Sequence, residues 1–175
     1  MKTVEYDEYA TKNLDKLVTN VVQLLLRRGT SISTAESCTG GLLSELITAV
    51  PGASGIFELG VCTYSERMKS RFLDVSPETI RKYGVVSRET ALEMVRGLKK
   101  VSGADICVSV TGIAGPGGGT EETPVGTVYI GFDIMGRQFA ELPELWKLND
   151  LSRSSIRKAA AVYIFETIEK ALMEA

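Results

Sequence analysis

The segment Ala104 to Val110, Ala-Asp-Ile-Cys-Val-Ser-Val, constrains the fold more than any other stretch of the chain. Its nearly continuous apolar character over strand length is what burial on both faces demands, and such a strand needs a packed layer above and below it. The rest of the sequence supplies those layers. Within Asp7 to Arg28, apolar residues recur near helical spacing at Leu14, Leu17, Val18, Val21, Val22, Leu24 and Leu25, and Gly29 stands where a C-terminal cap belongs. Thr30 to Ala35 is short and rich in β-branched residues, and Gly41 to Val50 is helical in pattern up to the break at Pro51-Gly52. Ile56 to Tyr64 reads as a second strand and Ser65 to Phe72 as a short helix. Ser76 and Pro77 form an N-cap and first helical position for a helix to Tyr83, and Ser87 caps another that runs to about Ser102. Thr127 to Asp133 and Arg137 to Leu145 pattern as two strands joined through Ile134-Met135-Gly136 in an antiparallel hairpin. A last helix, Ser152 to Met173, is expected to bury Ile156, Ala160, Tyr163, Ile164, Ile168 and Leu172.

This alternation predicts an α/β fold, a three-layer α/β/α sandwich on a mixed, mostly parallel central sheet that includes the late hairpin. With 175 residues and neither repeat nor linker, residues 1–175 are expected to form one domain.

Composition then narrows the chemistry. The chain has no histidine, which removes Ser-His-Asp and Cys-His catalysis and H-E-x-x-H zinc chemistry together. Any hydrolytic base must be Lys, Asp, Glu or Tyr. Cys38, Cys62 and Cys107 are odd in number and none sits in a C-x-x-C pair, so reduced thiols are expected, with no metal and no cofactor. Twenty basic residues against twenty-two acidic ones, without a block of like charge, argue against a nucleic-acid partner. The N-terminus has neither a secretory h-region nor an Arg-rich transit pattern, and no apolar run approaches membrane-spanning length. A cytoplasmic protein with no membrane partner is the expectation.

Ser37 lies in Thr34-Ala35-Glu36-Ser37-Cys38-Thr39-Gly40-Gly41, where a strand runs into a glycine-permitted turn at a helix N-terminus. Backbone N–H groups and a positive dipole end there suit an oxyanion or a phosphate, and Ser37 or Thr39 can equally serve as a plain helix cap. If Ser37 attacks a carbonyl, the base consistent with the missing histidine is a lysine held neutral by burial or by neighbouring positive charge. Lys69 is the best placed, with Arg67 nearby to lower its pKa, and the alternative is an ordinary solvated lysine. Tyr64 can relay a proton or serve as an interfacial aromatic. The loop from Gly112 to Gly126, containing Gly115, Gly117 and Gly118, is too broken for regular structure, and its open N–H groups suit a phosphate or serve a flexible lid. Arg153 and Arg157 are four apart on one helix face and can reach one anion, or lie in solvent. Cys38, without a partner to make a thiolate, reads as a small packing residue.

Three signatures taken in order, T-A-E-S-C-T-G-G at Thr34 to Gly41, T-Y-S at Thr63 to Ser65 with Lys69 beyond, and T-G-I-A-G-P-G-G-G-T at Thr111 to Thr120 followed by P-V-G-T-V at Pro124 to Val128, closely resemble the CinA C-terminal domain family. That family includes nicotinamide-mononucleotide deamidases. The resemblance implies a three-layer fold, a homo-oligomer, and conversion of nicotinamide mononucleotide to nicotinic acid mononucleotide and ammonia in pyridine-nucleotide salvage. It also implies Ser37 as nucleophile, Lys69 as base, Tyr64 as the tyrosine beside that lysine, Thr111 as the residue that opens the glycine loop, and Arg153 as the arginine of the last-helix motif. The stand-alone form is expected, so the separate activity of the N-terminal domain in longer members is not assigned. The chain departs from the family at Thr123, where lysine is common, and at Leu151-Ser152 before Arg153, where Gly-Asp is common.

On this resemblance, N–H groups near Thr39, Gly40 and Gly41 are expected to hold the oxyanion, and Gly112, Gly115, Gly117, Gly118 and Arg153 the substrate phosphate. Two other readings remain beside it: a non-catalytic nucleotide-binding module, and an amidase for another small amide.

Overall fold

The computed structural model describes residues 13–174. Helix α1 spans Leu14–Arg28, capped by the Asn13 side chain, which accepts from the Lys16 N–H at 3.0 Å. The stretch Asp7 to Lys12 assigned to this helix lies outside the described residues. Gly29 ends α1 at a φ of 60°, a left-handed conformation that costs glycine little. There follow β1 (Ile32–Glu36), α2 (Leu42–Thr48), β2 (Phe57–Cys62), α3 (Glu66–Leu73), α4 (Pro77–Tyr83), α5 (Arg88–Ser102), β3 (Ile106–Gly112), β4 (Val128–Ile134), β5 (Arg137–Glu141) and α6 (Arg153–Glu174).

The sheet order is β2-β1-β3-β4-β5. β1 is parallel to both β2 and β3, β4 is antiparallel to β3, and β5 is antiparallel to β4. Four of the five strands therefore point the same way, which makes the sheet mixed and mostly parallel. Strand alternation divides the core into two layers. Ile32, Ile106, Val108, Val110, Ile130 and Phe132 pack with residues of α1, α2 and α6 on one face, while Ala35 and Cys107 pack with Leu73, Met94, Val95 and Leu98 on the other. The fold is the α/β/α sandwich that the apolar β3 segment demanded.

Capping chemistry sets the helix starts. Ser76 with Pro77 at the first helical position begins α4, and the Ser87 hydroxyl accepts from the Thr90 N–H at 3.1 Å to begin α5. Strand ends differ from expectation by a residue or two, and the last strand differs by more. β5 stops at Glu141; Pro143 has no ladder donor, and Leu145 is buried in a short 3-10 turn, Leu145–Lys147. Tyr163 packs half-buried against the core of α6 and is not enclosed by it. No helix among the described residues is long and apolar enough to cross a membrane.

Candidate active site

Because β1, β2 and β3 are parallel, their carboxyl ends share one rim of the sheet, the place where open α/β sheets bind ligands. β1 delivers Ser37 there, β2 delivers Thr63 and Tyr64, and β3 delivers Thr111 and the glycine loop. All of these but Thr63 line one cleft of about 250 Å³, joined by Lys69 from α3, Arg153 from α6, and Val85 and Val86 from the α4–α5 connection.

At its floor Lys69 Nζ donates to Ser37 Oγ at 2.8 Å and to the Thr63 carbonyl at 2.7 Å. Lys69 has no exposed surface and Ser37 very little. Ser65 starts α3 as its N-cap, with its hydroxyl accepting from the Met68 N–H, and the lysine leaves the first turn of that helix toward the sheet. Burial holds the Lys69 amine below its ordinary value, against the opposing influence of Cys38, Cys62 and Glu66. Arg67 has no part in this. Residues two apart on a helix do not share a face, and Arg67 is exposed where Lys69 is enclosed. Once the amine is neutral, its lone pair can accept the Ser37 proton along the same contact while an N–H continues to donate to Thr63.

Cys38, beside the serine, is buried, and burial pushes its thiol up to about 12 despite the nearby Lys69 charge. It is thereby kept from forming the reactive thiolate.

The turn after Ser37 differs from its expected form. Neither Ser37 nor Thr39 caps α2. The N-cap is Gly41, without a side-chain cap bond, and the Glu36 carboxylate takes the orphan donors, accepting from the N–H groups of Gly41 (3.0 Å), Leu43 (3.1 Å) and Ser44 (2.9 Å). The Gly40 N–H donates to the Ser37 carbonyl. Gly40 and Gly41 therefore shape the turn through φ values of 60° and 94°, and their N–H groups are already engaged. Among the described residues, the Thr39 N–H donates to no backbone carbonyl or side chain and the Cys38 N–H meets only its own thiol, so these two are the ones that can turn to an oxyanion.

Thr111 stands on β3, buried, and its hydroxyl donates to the Val85 carbonyl at 2.7 Å, tying the rim strand to the opposite wall. Gly112 pairs with Val128, where a Cβ would come within 2.7 Å of the Thr127 carbonyl oxygen, so the loop leaves β3 through a place only glycine fits. Gly115, Gly117 and Gly118 line the cleft, and their N–H groups have no protein acceptor among the described residues. Arg153 bridges two walls, donating from Nη1 to the Gly115 carbonyl at 3.1 Å and from Nη2 to the Tyr64 hydroxyl at 2.9 Å. The Tyr64 hydroxyl is thus directed at Arg153 and not at Lys69 or Ser37. Arg157 does not share an anion site with Arg153; its Nε donates to the Thr39 carbonyl at 2.9 Å, holding the Ser37 turn from the α6 side. Glu36 and Arg157 are the two supports that sequence reading misses. A carboxylate just before a glycine turn, followed by a helix start, is the one local signal for the first.

The CinA C-terminal domain model matches residues 14–172. A CinA-like protein of Thermotoga maritima is 44% identical over 98% of this chain and 44% of its own length, and a CinA-like protein of Chlorobaculum tepidum is 56% identical over 70% of this chain and 29% of its own. The chain thus spans less than half the length of these curated relatives. Among solved structures, a competence-damaged protein (CinA) superfamily protein of Klebsiella pneumoniae superposes with a TM-score of 0.86 at 30% identity, covering 94% of this chain and 100% of that one. The competence/damage inducible protein CihA of Agrobacterium tumefaciens gives 0.85 at 36% identity, covering 92% and 96%. With the fold, the three rim segments and these matches in agreement, the chain belongs to the CinA C-terminal domain family.

Proposed function

We propose that the protein is an amidohydrolase that converts nicotinamide mononucleotide to nicotinic acid mononucleotide and ammonia through a Ser37 acyl-enzyme. The observation that carries this reading is the 2.8 Å contact between Ser37 Oγ and a fully buried lysine whose pKa burial lowers. Neutral Lys69 takes the Ser37 proton as Oγ attacks the carboxamide carbon, and the N–H groups of Cys38 and Thr39 receive the developing oxyanion. The tetrahedral species collapses with rupture of the C–N bond, and the Lys69 ammonium returns the proton to the departing nitrogen, which leaves as ammonia. Water, deprotonated by the same lysine, then cleaves the ester and restores the Ser37 hydroxyl.

The remote part of the substrate supplies binding energy. Arg153 and the open N–H groups of Gly115, Gly117 and Gly118 line the same cleft as Ser37 and suit the 5′-phosphate. An anion there competes with the Tyr64 hydroxyl for Arg153, which gives Tyr64 a place in the binding wall. Incubating purified protein with the mononucleotide and with free nicotinamide tests the reading. Ammonia released from the first, and lost in Ser37→Ala and Lys69→Met, is the expected result. Tight binding without release would favour a non-catalytic nucleotide module, and equal rates on both compounds an amidase indifferent to phosphate.

A further inference from the structure

We infer that Glu36 is a positioning residue for the Ser37–Lys69 pair, holding both halves in register from a single buried site; the inference rests on the reading of that pair as nucleophile and base. Glu36 has no exposed surface. Strand alternation turns its side chain toward α2, with Thr34, whose hydroxyl lies 2.9 Å from Ser44 Oγ, while Ser37 comes out on the opposite face toward α3. The carboxylate grips the start of α2 through the Gly41, Leu43 and Ser44 N–H groups and also accepts from Ser44 Oγ at 2.8 Å. These bonds fix the two ends of the turn on which Ser37 rides.

The backbone of the same residue acts on the lysine side. The Glu36 carbonyl accepts from the Thr63 N–H at 2.9 Å, and the Thr63 carbonyl in turn accepts from Lys69 Nζ. A shift of Glu36 therefore moves the nucleophile directly and the base through one peptide unit. The carboxylate occupies the N-terminal donors of α2, so it touches no reacting atom, and its effect passes through geometry.

Two variants and two readouts test this. Glu36→Gln keeps the volume but sets an amide N–H₂ against donors that need an acceptor, and Ser44→Ala removes the hydroxyl's bond to the carboxylate together with its contact to Thr34 Oγ1 while leaving the three N–H bonds in place. The first readout is the rate at which phenylmethylsulfonyl fluoride modifies Ser37, followed by intact mass; the second is steady-state ammonia release from nicotinamide mononucleotide. In Glu36→Gln both the modification rate and kcat are expected to fall by about 10-fold to 100-fold with KM changed by no more than about twofold, as for a misplaced reacting group. Ser44→Ala is expected to show a smaller fall in the same two quantities. A purely structural role would lower the fraction of molecules that react and leave the rate of each unchanged, and that pattern overturns the inference. So does a wild-type modification rate in either variant, and Ser44→Ala carries the decision if Glu36→Gln does not fold. A wild type modified at Ser37 that releases no ammonia defeats the substrate reading alone and leaves the modification comparison to decide on Glu36. A wild type not modified at Ser37 defeats the pair and this inference together.

Discussion

A lysine with no exposed surface and no ion pair among the described residues is costly to keep charged, and Lys69 is such a lysine, enclosed between Ser37 Oγ and the Thr63 carbonyl. Two measurable consequences follow from its lowered pKa. First, kcat/KM for ammonia release is expected to rise with pH as the amine loses its proton, with a midpoint below the ordinary 10.5. A rate that falls over that range would count against lysine as base. Second, between the lowered folded value and 10.5 the unfolded chain holds a proton that the folded chain does not. Stability should therefore rise with pH through that window, by at most about 1.4 kcal/mol per pH unit, and below the folded value this contribution is constant. Urea unfolding of wild type beside Lys69→Met is expected to show their difference moving in favour of wild type as pH climbs through the window; a difference flat in pH would contradict the assignment. The sequence already pointed to Lys69 once histidine was missing. It did not reveal the cause of the shift, because burial is a property of the assembled core, whereas Arg67 was visible only as a neighbour in the chain.

Among the elements, α5 shows how tightly the layers meet. A Cβ at Gly97 would lie 1.9 Å from the Leu73 carbonyl oxygen, at the end of α3, the helix that carries Lys69. In a free helix Gly97→Ala would gain about 1 kcal/mol, but this contact is with backbone and cannot yield cheaply. The substitution is expected to destabilise by about 3 kcal/mol in urea unfolding, and a stabilised variant would refute the close packing of α5 on α3. Helix α6 bears on the site differently, through Arg157 and the Thr39 carbonyl. Arg157→Ala is expected to lower kcat about tenfold with a much smaller loss of stability, judged by ammonia release and urea midpoint on the same sample. Helix starts were legible because Ser76-Pro77 and Ser87 cap their own following turns. The end of β5 and the role of Arg157 were not, since each depends on a partner far away in sequence.

Across the whole molecule, one consequence of the parallel sheet organises the rest: strand ends distant in sequence meet on one rim. Ser37 and Lys69 are separated by 32 positions and Tyr64 and Arg153 by 89, yet each pair is within hydrogen-bond distance. The fold class was readable from one doubly buried strand and the alternation around it, and Ser37, Lys69, Thr111 and the glycine loop from the resemblance of three short signatures. Glu36 escaped notice because a carboxylate in a buried strand gains its meaning only from donors placed by the next helix. The central claim is that Ser37 carries the acyl group. Wild-type protein mixed with nicotinamide mononucleotide, quenched in acid and digested, is expected to yield a peptide acylated at Ser37, absent from Ser37→Ala. An adduct on Cys38, or undiminished ammonia release by Ser37→Ala, would contradict it.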